Sequence, residues 1–158
     1  MAEDIGTSPD DVQFRFRDDE MADHATVAVD ACCDQTYATA VRIEPSDDAR
    51  VLLPFLDRLA LVEVNFPSFA DGRGYSAARI LREEGYTGEL RAVGDVLIDQ
   101  LSHMRRCGFD AFAPTSRLDE DDAARAFATW ENVYQHAEDT RQSRLGNARR
   151  TIVELRHE

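Results

Sequence analysis

The chain has 158 residues, 31 of them acidic and 18 basic, for a formal net charge of −13. That length fits one domain and falls short of the about 250 residues of a complete eight-stranded α/β barrel, while the negative balance argues against nucleic acid, whose phosphates need a positive surface. All 18 basic residues are arginine, so Schiff-base chemistry, a pyridoxal anchor and a P-loop lysine are excluded.

Residues 1–12 are polar and acidic, contain Ser8-Pro9 and show no periodicity, so they read as a disordered N-terminus. Gln13–Arg17 alternates as an edge strand would, and Ala25–Val29 and Ala40–Ile43 read as short strands. Ser46, Asp47 and Asp48 can cap a helix whose apolar positions are Val51, Leu52, Phe55, Leu56 and Leu59, shortened or kinked by Pro54. The run 60–66, ending at Pro67, predicts a buried strand. A loop from Pro67 to Tyr75 and a helix over about 76–84 follow. Residues 89–93 predict a second strand, Asp95 caps a helix with Leu97, Leu101 and Met104 on one face, and residues 111–113 predict a third strand. Both helices leave through the same pattern, Glu84-Gly85-Tyr86 and Cys107-Gly108-Phe109, with glycine in the left-handed position and the aromatic folding back. Ser116-x-x-Asp119 resembles a capping box, opening a helix whose stripe is Ala123, Phe127, Trp130 and Tyr134. Residues 138–158 form a polar, basic tail.

The expected fold is therefore α/β, a single domain over 13–137 built on a parallel βαβαβ unit with strands at about 60–66, 89–93 and 111–113. It is either doubly wound or partial-barrel-like. No apolar run approaches the about 20 residues of a membrane span, and the acidic start lacks the features of a secretory signal. A cytoplasmic protein is expected, with no membrane partner. Cys32, Cys33 and Cys107 are odd in number, and adjacent cysteines bridge only with strain, so free thiols are expected. Three cysteines cannot build a four-thiolate cluster and their spacing offers no zinc site, so no metal and no evident cofactor is expected.

Charge is uneven along the chain. Residues 1–48 hold 13 acids and 3 arginines, 118–140 hold 7 acids and one arginine, and between them 66–117 carry 7 of each sign. Any anion-binding capacity is thus concentrated in the middle. Ligands of open parallel sheets collect beyond the carboxyl ends of the strands, where Pro67–Tyr75, Gly94–Asp95 and Pro114–Arg117 would meet. Arg73, flanked by Gly72 and Gly74, and Ser76 at a helix N-terminus form a recipe for a small oxyanion or phosphate group. The plainer reading pairs Arg73 with Asp71 on the surface. Arg91 lies inside an apparently buried strand and needs a carboxylate, with Asp71 or Asp95 placed to supply it. The candidate ligand site is Asp71, Arg73, Tyr75, Ser76, Arg91 and Asp95, with Asp99 and Gln100 as secondary members. No nucleophile elbow or Ser–His–Asp order appears, and no catalytic residue is assigned.

Several spaced signatures resemble a bacterial family. Phe66-Pro-x-Phe-x-Asp-Gly-Arg-Gly-Tyr-Ser76, Arg79-x-x-x-Arg-Glu, Gly88-Glu-Leu-Arg-Ala-Val-Gly-Asp95, Asp99-Gln100 and Arg106-Cys-Gly-Phe-Asp-Ala-Phe112 are similar to domain-of-unknown-function family 934, over about residues 43–135. The resemblance implies an oxidoreductase or accessory protein of assimilatory sulfite reduction, with sulfite reductase as partner. It carries no catalytic residues with it, and the sequence shows no flavin, nicotinamide, haem or cluster motif. Two readings follow: a regulatory or accessory partner of sulfite reductase, or a small oxidoreductase or oxyanion-binding enzyme whose site lies at the strand ends.

Overall fold

The computed structural model describes residues 3–21 and 23–129. Its framework is one sheet of six strands: β1 (Phe14–Arg15), β2 (Thr26–Ala28), β3 (Ala40–Ile43), β4 (Leu61–Phe66), β5 (Glu89–Gly94) and β6 (Ala111–Pro114), ordered β1-β6-β5-β4-β3-β2. Strands β2 to β6 are parallel, each beside the next in the chain, and β1 closes one edge antiparallel to β6. The three central strands stand where the sequence predicts them, and the short apolar runs before them widen the sheet. An order without reversal is the partial-barrel-like form of the α/β class; a doubly wound sheet would change direction at a switch point.

Sequential parallel strands joined by right-handed crossovers place every connection on the same face. The connections are α1 (Val29–Asp34), a 3-10 helix Ala49–Arg58, α2 (Arg73–Glu83), and a 3-10 turn Ile98–Gln100 running into α3 (Leu101–Cys107); α4 (Glu120–Ala128) follows β6. The face they cover is apolar. Val41, Val62, Val64, Phe66, Leu90 and Phe112 form one buried cluster with Ala78, Leu81, Leu101, Met104 and Ala123. Phe127 of α4 also packs here, its ring 5.6 Å from Phe14, 4.7 Å from Phe16 and 5.4 Å from Phe112. Trp130, Tyr134 and the basic tail lie outside the described residues.

By the two-residue period of a strand, the opposite face carries Arg42, Glu63, Glu89 and Arg91, and among the described residues no α-helix covers it. The N-terminal stretch lies there instead. Ile5 N–H donates to Thr26 O at 2.9 Å, and Thr7 N–H donates to Glu63 Oε1 at 3.0 Å. Residues 3–12, expected from their composition to be disordered, thus take their place from the polar face beneath them, whose side chains satisfy their backbone groups.

Both glycine–aromatic exits form as the sequence predicts. Gly85 and Gly108 have φ of 92° and 112°. Tyr86 N–H bonds Leu81 O and Gly85 N–H bonds Arg82 O; Phe109 and Gly108 repeat this on Met104 and Arg105. These are Schellman closures, and the aromatic following each glycine is buried. The N-terminal caps differ from expectation in two places. Ser116 does not cap α4, because Asp119 accepts Asp122 N–H. Asp95 does not cap α3, which starts at Leu101 after the 3-10 turn; its carboxylate is drawn to Phe69 N–H across the strand ends. Pro54 has the predicted effect, since the segment it interrupts is 3-10 rather than α, with Asp48 accepting Arg50 N–H at its start.

Candidate functional site

Strand register puts Arg42 beside Glu63 and Glu63 beside Arg91, so three charges of alternating sign cross β3, β4 and β5. Glu63 is fully buried and Arg91 is 2% exposed. Arg91 donates to Glu63 Oε1 at 3.2 Å and, through Nε and Nη2, to Glu89 Oε1 at 3.0 and 2.8 Å. Arg42 donates to Glu63 Oε2 from Nε at 3.1 Å and Nη2 at 2.8 Å. Glu89 also accepts from Arg15, Arg15 pairs with Asp19, Asp19 with Arg17, and Arg17 with Asp110, which Arg82 also reaches. The result is a continuous ladder from Arg42 to Arg82, with every buried carboxylate held between cations. Burying such charges is tolerable only when each is paired and hydrogen-bonded.

This ladder corrects the expectation for Arg91. Its partners are Glu63 and Glu89, and neither Asp71 nor Asp95 takes part. The reason is register: Arg91 stands third in β5, below the strand end, and faces away from the helices. The signal was available, since each of Ala40-Val-Arg-Ile, Leu61-Val-Glu-Val and Leu90-Arg-Ala places one charge in an apolar run. Three such strands side by side call for a cross-strand ladder, and sequence reasoning passed over Arg42, Glu63 and Glu89.

The remaining candidates gather on the helix side of the strand ends, so Arg73 and Arg91 do not converge. Arg73 opens α2 and pairs with Asp71 at 2.6 Å; its side chain is 65% exposed. The Arg73 guanidinium, and after it the Arg73 N–H, holds the Asp71 carboxyl down to about 2, and Asp71 in turn raises the arginine. Gly72 has a φ of −87° and supplies no left-handed bend. Gly74 is needed for packing, because a Cβ there would lie 2.6 Å from Phe66 Cζ. Tyr75 is half-buried, its ring 5.4 Å from Phe66 and 5.0 Å from His103. Burial, with smaller effects of Cys107 and Asp99, raises its hydroxyl. Ser76 is exposed. Together with Arg50, Arg73 and Ser76 line a cleft of about 310 Å³, but Glu44, Asp47 and Asp48 line it too, which opposes a purely anionic guest.

Asp95 and Gln100 act on a different object. Asp95 Oδ2 accepts Phe69 N–H at 2.9 Å, and Gln100 Nε2 donates to Phe69 O at 2.8 Å. Two side chains from the loop after β5 therefore grip the backbone of one residue in the loop after β4. The side chain of that residue, Phe69, is 51% exposed. Asp99, the other secondary candidate, is exposed beside them. Cys32, Cys33 and Cys107 are free thiols, of which Cys33 is exposed. Among the described residues no three His, Cys, Asp or Glu side chains are grouped to hold a metal ion, and no helix is long and apolar enough to cross a membrane.

The family model of a bacterial protein of unknown function, DUF934, matches residues 40–145, from β3 through α4 and beyond. No curated protein and no solved structure matches the chain.

Proposed function

We propose that this chain, which belongs to the bacterial DUF934 family, is an accessory protein of assimilatory sulfite reduction in the cytoplasm, and that it docks on sulfite reductase through the strand-end surface around Phe69. The pathway comes from the family likeness. The docking reading rests on one observation: Phe69 is half exposed while its N–H and C=O are both fixed by side chains of another loop. A large aromatic held in one place on the surface loses little freedom when a partner covers it, and such residues dominate interface energies. The neighbouring Asp71–Arg73 pair adds a polar rim. The chain's charge of −13 suits a basic face on the reductase and makes association favour low salt.

An oxyanion-binding enzyme is supported less well. Its two arginines are divided between opposite faces of the sheet, and each already has a carboxylate. The test is co-elution of the full chain with its cognate sulfite reductase at low ionic strength. Wild-type protein is expected to co-elute, and Phe69→Ala to weaken binding about tenfold or more, as loss of an interface anchor does. The unfolding temperature should stay within a degree or two of the wild type, since an exposed side chain is removed. Failure of the wild type to bind, or equal binding by the variant, overturns the reading.

A further inference from the structure

We propose that the cleft at the carboxyl ends of β3 to β6, on the charged face of the sheet, binds a small zwitterion of the α-amino-acid class. The cleft measures about 330 Å³, and its walls include Thr7, Asp11, Arg42, Asn65, Gly94 and Thr115. It lies across the sheet from the helices and is separate from the surface around Phe69.

Its cation is Arg42. Glu63 and Thr7 engage Nε and Nη2, at 3.1, 2.8 and 2.9 Å, while Nη1 has no hydrogen-bond partner among the described residues. Within the ladder Arg42 is paired with one carboxylate, where Arg91, Arg15 and Arg17 each have two. Glu63, itself buried and held by Arg91 and Thr7 N–H, fixes the guanidinium plane in advance. An arginine oriented in this way loses little side-chain entropy when a carboxylate accepts from its free nitrogen.

The cleft's acceptors decide the rest of the ligand. Asp11 is exposed, and its carboxylate makes no hydrogen bond or ion pair among the described residues. Asn65 donates its Nδ2 to Glu44 at 2.8 Å, which leaves Oδ1 as an acceptor above Gly94. A simple anion would meet Arg42 and be opposed by Asp11; a simple cation would meet the reverse. A carboxylate with an ammonium group on the next carbon satisfies both sides, accepting from Arg42 Nη1 and donating to Asp11 and Asn65.

Calorimetric titration of the full chain with L-serine, acetate and ethylamine tests this. L-serine is expected to bind, and its two halves, acetate and ethylamine, to bind at least about tenfold more weakly. Asp11→Asn, a change at an exposed residue, should weaken L-serine binding by about tenfold, which corresponds to about 1.4 kcal/mol, with unfolding temperature unchanged. Arg42→Gln should abolish binding, and Phe69→Ala should leave it as it is. The proposal is overturned if L-serine gives no binding at millimolar concentration, if acetate binds as well as L-serine, or if Asp11→Asn has no effect. Should Arg42→Gln fail to fold, Asp11→Asn alone decides.

Discussion

Glu63→Gln removes one charge from the middle of the buried ladder while keeping the side chain's volume. Glu63 has no exposed surface and accepts from four donors: Thr7 N–H at 3.0 Å, Arg91 Nη1 at 3.2 Å, and Arg42 Nε and Nη2 at 3.1 and 2.8 Å. A glutamine keeps one acceptor oxygen and turns an amide NH2 toward a guanidinium. Removing one partner of a buried pair costs about 3–5 kcal/mol, because the other charge stays behind uncompensated. Two features place this case at the lower end. Arg91 keeps two hydrogen bonds to Glu89, and the Arg42 side chain, 18% exposed, can turn partly to water. The expected loss is therefore about 3 kcal/mol, a large share of the about 5–15 kcal/mol that holds a domain folded. At about 2–4 °C per kcal/mol for a chain of this size, the melting temperature should fall by about 6–12 °C. Thermal and urea unfolding followed by circular dichroism measure it, with the urea slope unchanged if only stability has moved. High salt should not erase the loss, since buried pairs are screened weakly. A loss below about 1 kcal/mol, the value of an exposed pair, would refute the reasoning and remove the basis for a pre-oriented Arg42.

Two further predictions concern the strand ends. Gly94 has a φ of +99°, and a Cβ there would lie 2.4 Å from Phe66 O and 2.8 Å from Asn65 Oδ1, whereas Gly85, at φ +92°, faces open space. Gly85→Ala should cost only the backbone strain, about 1 kcal/mol, and Gly94→Ala about 3 kcal/mol or more because a main-chain oxygen cannot step aside; equal urea midpoints would show that the end of β5 relaxes. The Asp71 carboxyl, held by Arg73 at about 2, lies below its value in an unfolded chain, near 4. The pair is therefore complete above about pH 4 and is lost as pH falls through about 2. A carboxyl titration by NMR should show this midpoint and its return to the ordinary range in Arg73→Ala; an ordinary midpoint in the wild type would mean that the pair does not form in solution.

What the sequence made legible was local in origin. The run 60–66 and the two glycine–aromatic exits specify their conformations through near neighbours, and the structure forms both closures at Gly85 and Gly108. Pro54 likewise announces a segment that cannot be an ordinary α-helix. The parts that depend on distant partners stayed hidden. Asp95 has the residue type and position of an N-cap, yet its carboxylate accepts Phe69 N–H at 2.9 Å and α3 starts only at Leu101. Residues 3–12 carry no apolar period, and the backbone of Thr7 among them is held by charged side chains 56 and 84 positions away. The candidate site was legible in part: the Asp71–Arg73 pair formed as the plainer reading had it, while Arg91 joined another set of carboxylates.

The charged ladder itself has an explanation in topology. Because successive parallel strands are neighbours and every crossover has the same hand, the described helices that connect them fall on one face of the sheet. Among the described residues the other face receives extended N-terminal segments, too thin to bury rows of valine and leucine, and an apolar surface left there would be prone to association. Alternating charges solve this in another way. They neutralise each other across the strands, and they offer donors and acceptors to the stretch that crosses them: Thr7 alone donates its N–H to Glu63, accepts from Arg91 at its carbonyl and accepts from Arg42 at its hydroxyl. Buried ion pairs are weak contributors to stability compared with apolar packing; here they fix strand register and the position of a polar segment. A ladder must also end somewhere. At β3 it ends in an arginine that, among the described residues, has one carboxylate and an unused nitrogen, and the same geometry that closes the sheet's second face leaves a charged, pre-oriented group at the mouth of a cleft.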